Sequence, residues 1–177
     1  MRADARRNRS AVLEAGARLL ADRPMASMQE IADASGVGRT TVYRHFPARE
    51  DLVAALVNQV ADETTSVTEE VVGSGEAAPE VLRRLAARIV ALGRRWSFLR
   101  AQRQEVIAAL QESDRVYRQW IVQSQRSGEL RRDFDPDFIL AVTRAMVTSA
   151  IDESDRLGAE HAGQLAGEAL VSALSPR

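Results

Sequence analysis

The chain has 177 residues and a mass of 19.4 kDa, enough for one compact unit or for a small domain beside a larger one. Apolar residues make up 45% and charged residues 28%, a balance that can fill a core and argues against disorder. With no cysteine there is no disulfide framework, thiolate nucleophile or cysteine-type zinc site, and His45 and His161 alone make a transition-metal centre an unpromising reading.

Aromatics are only 5%, and the helix-favouring residues Ala, Leu, Glu and Arg dominate, so an all-α protein is expected. The longest charge-free stretch, Leu52 to Ala61, is ten residues, far below the ~18 that suggest a membrane span. The charged N-terminus has no long apolar run and does not read as a signal peptide. A reduced, cytoplasmic location, with no membrane partner, is therefore expected.

All 24 basic residues are arginine. Arginine suits bidentate phosphate contacts, but arginine-only usage also fits codon bias in a G+C-rich genome, and that reading is favoured because arginines also fill solvated faces. Their distribution says more. Residues 1–50 hold nine arginines and six acids, whereas residues 51–177 hold fifteen and nineteen. A basic front end on an acidic body points to a polyanion partner at the N-terminus.

In chain order, Val12, Leu13, Gly16, Leu19 and Leu20 recur at helical spacing and predict a first helix over about Arg6–Asp22, stopped by Arg23-Pro24. Ser27-Met28-Gln29-Glu30 reads as a capping box opening a short helix, Met28–Ser35, with Gly36 at its C′ position. Arg39–Phe46 is a third short helix ended by Pro47, and Leu52, Val53, Leu56, Val57 and Val60 define a fourth over about Ala48–Val71. Gly73–Pro79 is a linker. Helices are then predicted over Pro79–Arg95, Leu99–Gln111 and Asp114–Ser127, the last closed by Gly128. Asp135-Pro136 supplies a cap and an N1 proline for a long helix, Pro136–Leu157, and Glu160–Leu174 is the last.

Two short helices around a glycine turn, Ser27–Ser35 and Arg39–Phe46, make a helix-turn-helix. The first braces the second, whose exposed residues can enter a DNA major groove about 12 Å wide. With Ile31, Ala32, Val37, Val42 and Phe46 inward, Arg39, Thr40, Tyr43, Arg44 and His45 are left free, flanked by Thr41. That outward set mixes donors, acceptors and an aromatic and contains no acid, whereas a merely solvated helix face interleaves Glu or Asp.

Ile31-Ala-Asp-Ala-Ser-Gly-Val-Gly-Arg-Thr-Thr-Val-Tyr-Arg-His-Phe46, followed by Arg49-Glu-Asp-Leu52, resembles the DNA-binding domain of TetR/AcrR-family transcriptional regulators over about residues 4–64. More weakly, Ser127-Gly-Glu-Leu-Arg-Arg-Asp-Phe-Asp-Pro136 resembles the segment leading into that family's penultimate helix. The resemblance implies about nine helices: a DNA-binding domain at 4–64 with its helix-turn-helix at 27–46, joined by the fourth helix to an effector-binding and dimerisation domain at 75–177. It implies DNA contacts from Ser27, Arg39, Thr40, Thr41, Tyr43, Arg44, His45 and Arg49, with base choice at Arg39, Thr40 and Thr41. Arg49 stands at the usual lysine position, which meets the DNA backbone. Two residues depart from the family pattern: Gly38 replaces a frequent Ser/Thr cap, and Ala48 lacks a capping side chain.

Other features carry two readings each. Arg2–Arg9 is either a phosphate or minor-groove arm or a solvated, frayed terminus. Trp96, Phe98, Tyr117 and Trp120, with Arg103 and Gln104 as polar partners, could line a ligand pocket, and each aromatic reads alternatively as plain core. Asp152, Glu153 and Asp155 read as a solvated face and His161 as surface, so no metal is expected. No Ser–His–acid set, phosphate loop or paired carboxylates emerge, and neither an enzyme nor a cofactor is expected. The stripes Phe138, Val142, Ala145, Ser149 (with Ile139, Met146 and Ala150 beside them) and Leu165, Ala166, Ala169, Leu170, Ala173 suggest a homodimer through the last two helices, about 136–174, with burial inside one subunit as the other reading for part of each stripe. The expected partners are thus operator DNA, a second copy and a small-molecule effector, in a repressor released from a palindromic operator by its ligand.

Overall fold

The computed structural model describes residues 2–176, and among them all regular structure is helical. Nine α-helices follow in order: α1 Arg2–Asp22, α2 Met28–Ser35, α3 Arg39–His45, α4 Arg49–Val72, α5 Ala78–Arg95, α6 Arg103–Ala109, α7 Gln111–Ser127, α8 Pro136–Leu157 and α9 Ala159–Leu174. A 3-10 segment, Ser97–Gln102, precedes α6. The all-α expectation holds. The helix predicted over Leu99–Gln111 does not run through, however, and is divided into the 3-10 segment and α6. Trp96, which precedes the segment, and Leu99 within it are both buried.

Contacts group the chain into two compact units: the chain up to Val60 with Trp96–Val106, and Ala61–Arg95 with the chain from Ile107 onward. In the first unit, Val12, Leu13 and Leu20 of α1, Ile31 of α2, Val42 of α3, Phe46, and Leu52 and Leu56 of α4 are buried. Each such aliphatic or aromatic side chain contributes about 1.5–3 kcal/mol by leaving water. Gly16 of α1 faces Leu52 of α4 and Ile31 of α2, whose side chains a Cβ there would meet at ordinary contact distances of 3.4 to 3.8 Å. The 3-10 segment rests on α1 and completes this unit.

In the second unit α5 buries Val81, Leu82, Leu85, Ala86 and Val90, and packs on α8 and α9. The crossing with α9 is made backbone to backbone. A Cβ on Gly163 would lie 2.8 Å from Ala87 Cα, and one on Gly167 would lie 2.9 Å from Arg83 Cα. No larger residue fits either position without moving the helices apart. Arg131, buried, ties the α7–α8 connection to the end of α9: it donates to the Ala173 carbonyl at 3.1 Å and to Asp133 at 2.7 and 2.5 Å, and it lies 3.7 Å over the Phe134 ring. Asp135 accepts from the amides of Asp137 and Phe138, capping α8 as its sequence predicts.

The small-residue stripes divide between inside and outside. On α8 the buried positions are Ile139, Thr143, Val147 and Ser154, while Ala145 and Ser149 are exposed and Phe138 is 52% exposed. On α9, Ala166 and Leu170 face inward, whereas Ala169 is exposed and Leu165 is 49% exposed.

Candidate nucleic-acid interface

The reading head is set by its caps. The Ser27 hydroxyl accepts from the Glu30 amide at 3.3 Å, and the Ser27 amide donates to the Glu30 carboxylate at 2.8 Å, so both halves of the capping box form. That amide and the Ser27 hydroxyl hold the Glu30 carboxyl below the usual range, with Arg23 at 2.7 Å assisting. At the far end of α2, Gly36 takes φ +67°, a left-handed backbone open to glycine at low cost. The Ser35 hydroxyl accepts from the Val37 amide at 3.1 Å and donates to Ala32 O at 2.8 Å, fixing the chain into α3.

α3 has no acid in its first turn and ends in Arg44 and His45, where cations favour the helix dipole. Its N-cap, Gly38, makes no side-chain hydrogen bond. Arg39, Thr40 and Arg44 are exposed, Thr41 and Tyr43 are half-buried, and Val42 is fully buried against the unit's core. Arg39 lies 5.5 Å over the Tyr43 ring. His45 is half-buried, its ring 6.4 Å from that of Phe46, and its Nε2 is buried without a hydrogen-bond partner. Ser27 is exposed but engaged in its cap. Arg49 donates Nη2 to Pro24 O at 2.6 Å and Nη1 to Ala26 O. At Ala48 the missing cap is partly replaced, since the Asp51 carboxylate accepts the Ala48 amide at 2.9 Å.

The stretch read as an arm is the first two turns of α1. Arg7 pairs with Asp4 and Arg9 lies 5.5 Å over Phe46, while the side chain of Arg2 lies outside the described residues. Sequence reasoning missed the Arg23–Glu30 link and the Asp51 cap. The acid three residues after Ala48 was the available signal for the second.

The six residues offered as pocket lining fall into two groups. Trp96 is buried and lies 5.6 Å from Phe98 in the first unit, where Arg103 and Gln104 are exposed. Tyr117 and Trp120 stack at 5.4 Å in the second unit. Tyr117 is buried there with its hydroxyl 3.2 Å from Thr143, and burial pushes its phenol up to about 12. The second unit also holds a groove of about 610 Å³ between α4 and α5. Val67, Ala91 and Leu92 give it an apolar lining and Asp62, Glu63, Ser66, Arg88 and Arg95 a polar one, and none of the six residues lines it. Helical spacing of Glu63 with Val67, and of Arg88 with Leu92 and Arg95, was its signal in the sequence. Among the described residues no cluster of acids and histidines is suited to a metal, and no helix is long and apolar enough to cross a membrane.

Residues 12–56 match the family described as bacterial regulatory proteins, tetR family. The chain is 39% identical over 87 residues to the HTH-type transcriptional repressor LfrR of Mycolicibacterium smegmatis, a match covering 49% of this chain and 46% of that repressor. It thus spans about half the length of that curated relative. The solved structure of LfrR from Mycobacterium smegmatis in complex with proflavine superposes with a TM-score of 0.75 at 25% identity, over 94% of this chain and 96% of that one. The fatty acid degradation regulator FadR from Bacillus halodurans shares the fold at a TM-score of 0.79 and 12% identity, over 93% and 94% of the two chains. Helix-turn-helix geometry and family match agree on residues 12–56, and the chain as a whole shares the fold of a solved TetR-like regulator.

Proposed function

We propose that the chain is a cytoplasmic transcriptional repressor that binds a palindromic operator as a homodimer and is released by a small molecule. The observation that carries the DNA-binding part is α3: it presents Arg39, Thr40 and Arg44 to solvent, flanked by Thr41 and Tyr43, with no acid among them. Residues 4–64 form the DNA-binding domain in this reading, with Ser27 and His45 at its edges. Exposed Phe138, Ala145 and Ser149 on α8, and Leu165 and Ala169 on α9, supply the apolar surface for a second copy. Two-fold symmetry of the dimer matches that of a palindromic operator, whose half-sites lie about 34 Å apart, one turn of DNA.

The effector part places a small molecule in residues 75–177 together with the adjoining end of α4. Support comes from the α4–α5 groove and from the Tyr117–Trp120 pair, and the relative LfrR is solved with a small molecule, proflavine. Release requires the ligand to prefer the DNA-incompetent state, so DNA must weaken ligand binding by the same factor.

The test is binding of the purified protein to DNA from its own upstream region, against random DNA, at several salt concentrations. Retention of one sequence, with affinity falling steeply as salt rises, is expected. Equal, weak binding to all genomic DNA tried would overturn the reading.

A further inference from the structure

We propose that Arg49 serves DNA binding by bracing the α1–α2 turn rather than by contacting a phosphate, an inference that rests on the DNA-binding reading above. Arg49 opens α4, yet its guanidinium reaches back 25 residues to Pro24 O at 2.6 Å and 23 residues to Ala26 O. These carbonyls flank Met25, which is 91% exposed at the tip of the turn. Ala26 is followed at once by Ser27, the cap of α2, and Arg23 on the other side of the turn pairs with Glu30 in that cap. One fork therefore ties the start of α4 to the start of α2, and α2 carries α3 through the Gly36 turn.

The chemistry selects arginine. Two donors held in one plane can meet two carbonyls at once, whereas an ammonium is a single pivoting point. Charged donors also make the stronger hydrogen bonds. The contrast with Arg39 and Arg44 is direct: both stand exposed on α3, and neither is bonded to a carbonyl or carboxylate among the described residues.

Arg49→Lys and Arg49→Gln separate a brace from a phosphate contact. Each full-length variant is titrated onto a labelled random-sequence duplex and onto the upstream DNA, at several salt concentrations. Amide hydrogen exchange is followed in parallel without DNA. A brace predicts that both variants bind about tenfold more weakly, that the salt slope stays that of the wild type, and that amide exchange quickens between Pro24 and Glu30 while α1 stays protected. A phosphate contact predicts instead that Arg49→Lys binds like the wild type, that Arg49→Gln lowers the slope by about 1, and that exchange is unchanged. That result would overturn the proposal, as would exchange that quickens equally across the whole unit. If the wild type bound neither duplex, the DNA-binding reading would fall and Arg49's part in affinity with it, but quickened exchange at 24–30 in Arg49→Lys would still establish the brace.

Discussion

Arginine takes the place of lysine throughout the chain, and its surroundings on α3 differ from those on the helices of the second unit. In the second unit Arg83 meets Glu168 at 2.7 Å and Glu80 at 2.6 Å, Arg84 meets Glu76 at 2.6 Å, Arg94 meets Asp155 at 3.2 Å, and Arg144 meets Asp114. Its acids respond accordingly: the Arg83 guanidinium holds Glu168 below the usual carboxylate range, and Arg118 does the same to Asp137. On α3, by contrast, Arg39 and Arg44 have no carboxylate partner among the described residues. A paired charge is cancelled within a few ångströms, while an unpaired one on an exposed helix projects a field that salt screens only over about 8–10 Å. The arginine count cannot tell a codon preference from a phosphate-binding device. The partner of each arginine can.

The contrast can be broken from both sides. Reversing the unpaired charges, with Arg39→Glu and Arg44→Glu together, should cost several kcal/mol of DNA affinity through like-charge repulsion. Melting should be unchanged, with titration and calorimetry as the paired measurements; equal loss of both would remove the distinction. The second unit should instead yield to size. Gly167→Ala drives a methyl group against Arg83 Cα and is expected to lower stability by about 1–3 kcal/mol, read from a denaturant midpoint. Ser27→Ala removes half of the α2 capping box and should cost about 1 kcal/mol.

A pH titration sharpens the picture inside the second unit. The folded Tyr117 phenol lies at about 12 against an ordinary 10.0, so the unfolded chain loses its proton first. Stability should therefore be full below pH 10 and fall as the pH rises towards 12, and Tyr117→Phe should flatten that limb of the stability curve. The smallest effect is expected at a paired surface charge: Glu168→Gln should leave the melting midpoint within experimental scatter, since both partners are solvent-exposed.

The first unit was the more legible one because its signals are local. Ser27, Glu30 and Gly36 set both bounds of α2 from the sequence alone, each through a bond or backbone angle within a few residues. Asp135 and Pro136 likewise set the start of α8. What was not legible depends on distant residues. The 3-10 winding at 97–102 has no breaker in the sequence to announce it. Gly163 and Gly167 look like ordinary weak points in a helix until α5 is laid against them. The Arg49 fork was hidden because its partners are backbone carbonyls, which any sequence supplies. The aromatics that suggested one pocket fall into different units, since an aromatic residue carries no mark of which core it will join.

The glycine crossing of α5 and α9 also has a mechanical meaning. Most helix pairs meet through a layer of side chains, and changes of rotamer there absorb small shifts. At Gly163 and Gly167 that cushion is absent. Turning α9 to bring any residue with a Cβ to either crossing would force it against the α5 backbone, so the contact holds the pair closely. A push on α5 near Arg83 or Ala87 is then passed undamped to the far side of α9, where Leu165 and Ala169 face outward. The two helices act as one stiff plate, and a displacement arriving on one face leaves by the other without being diluted.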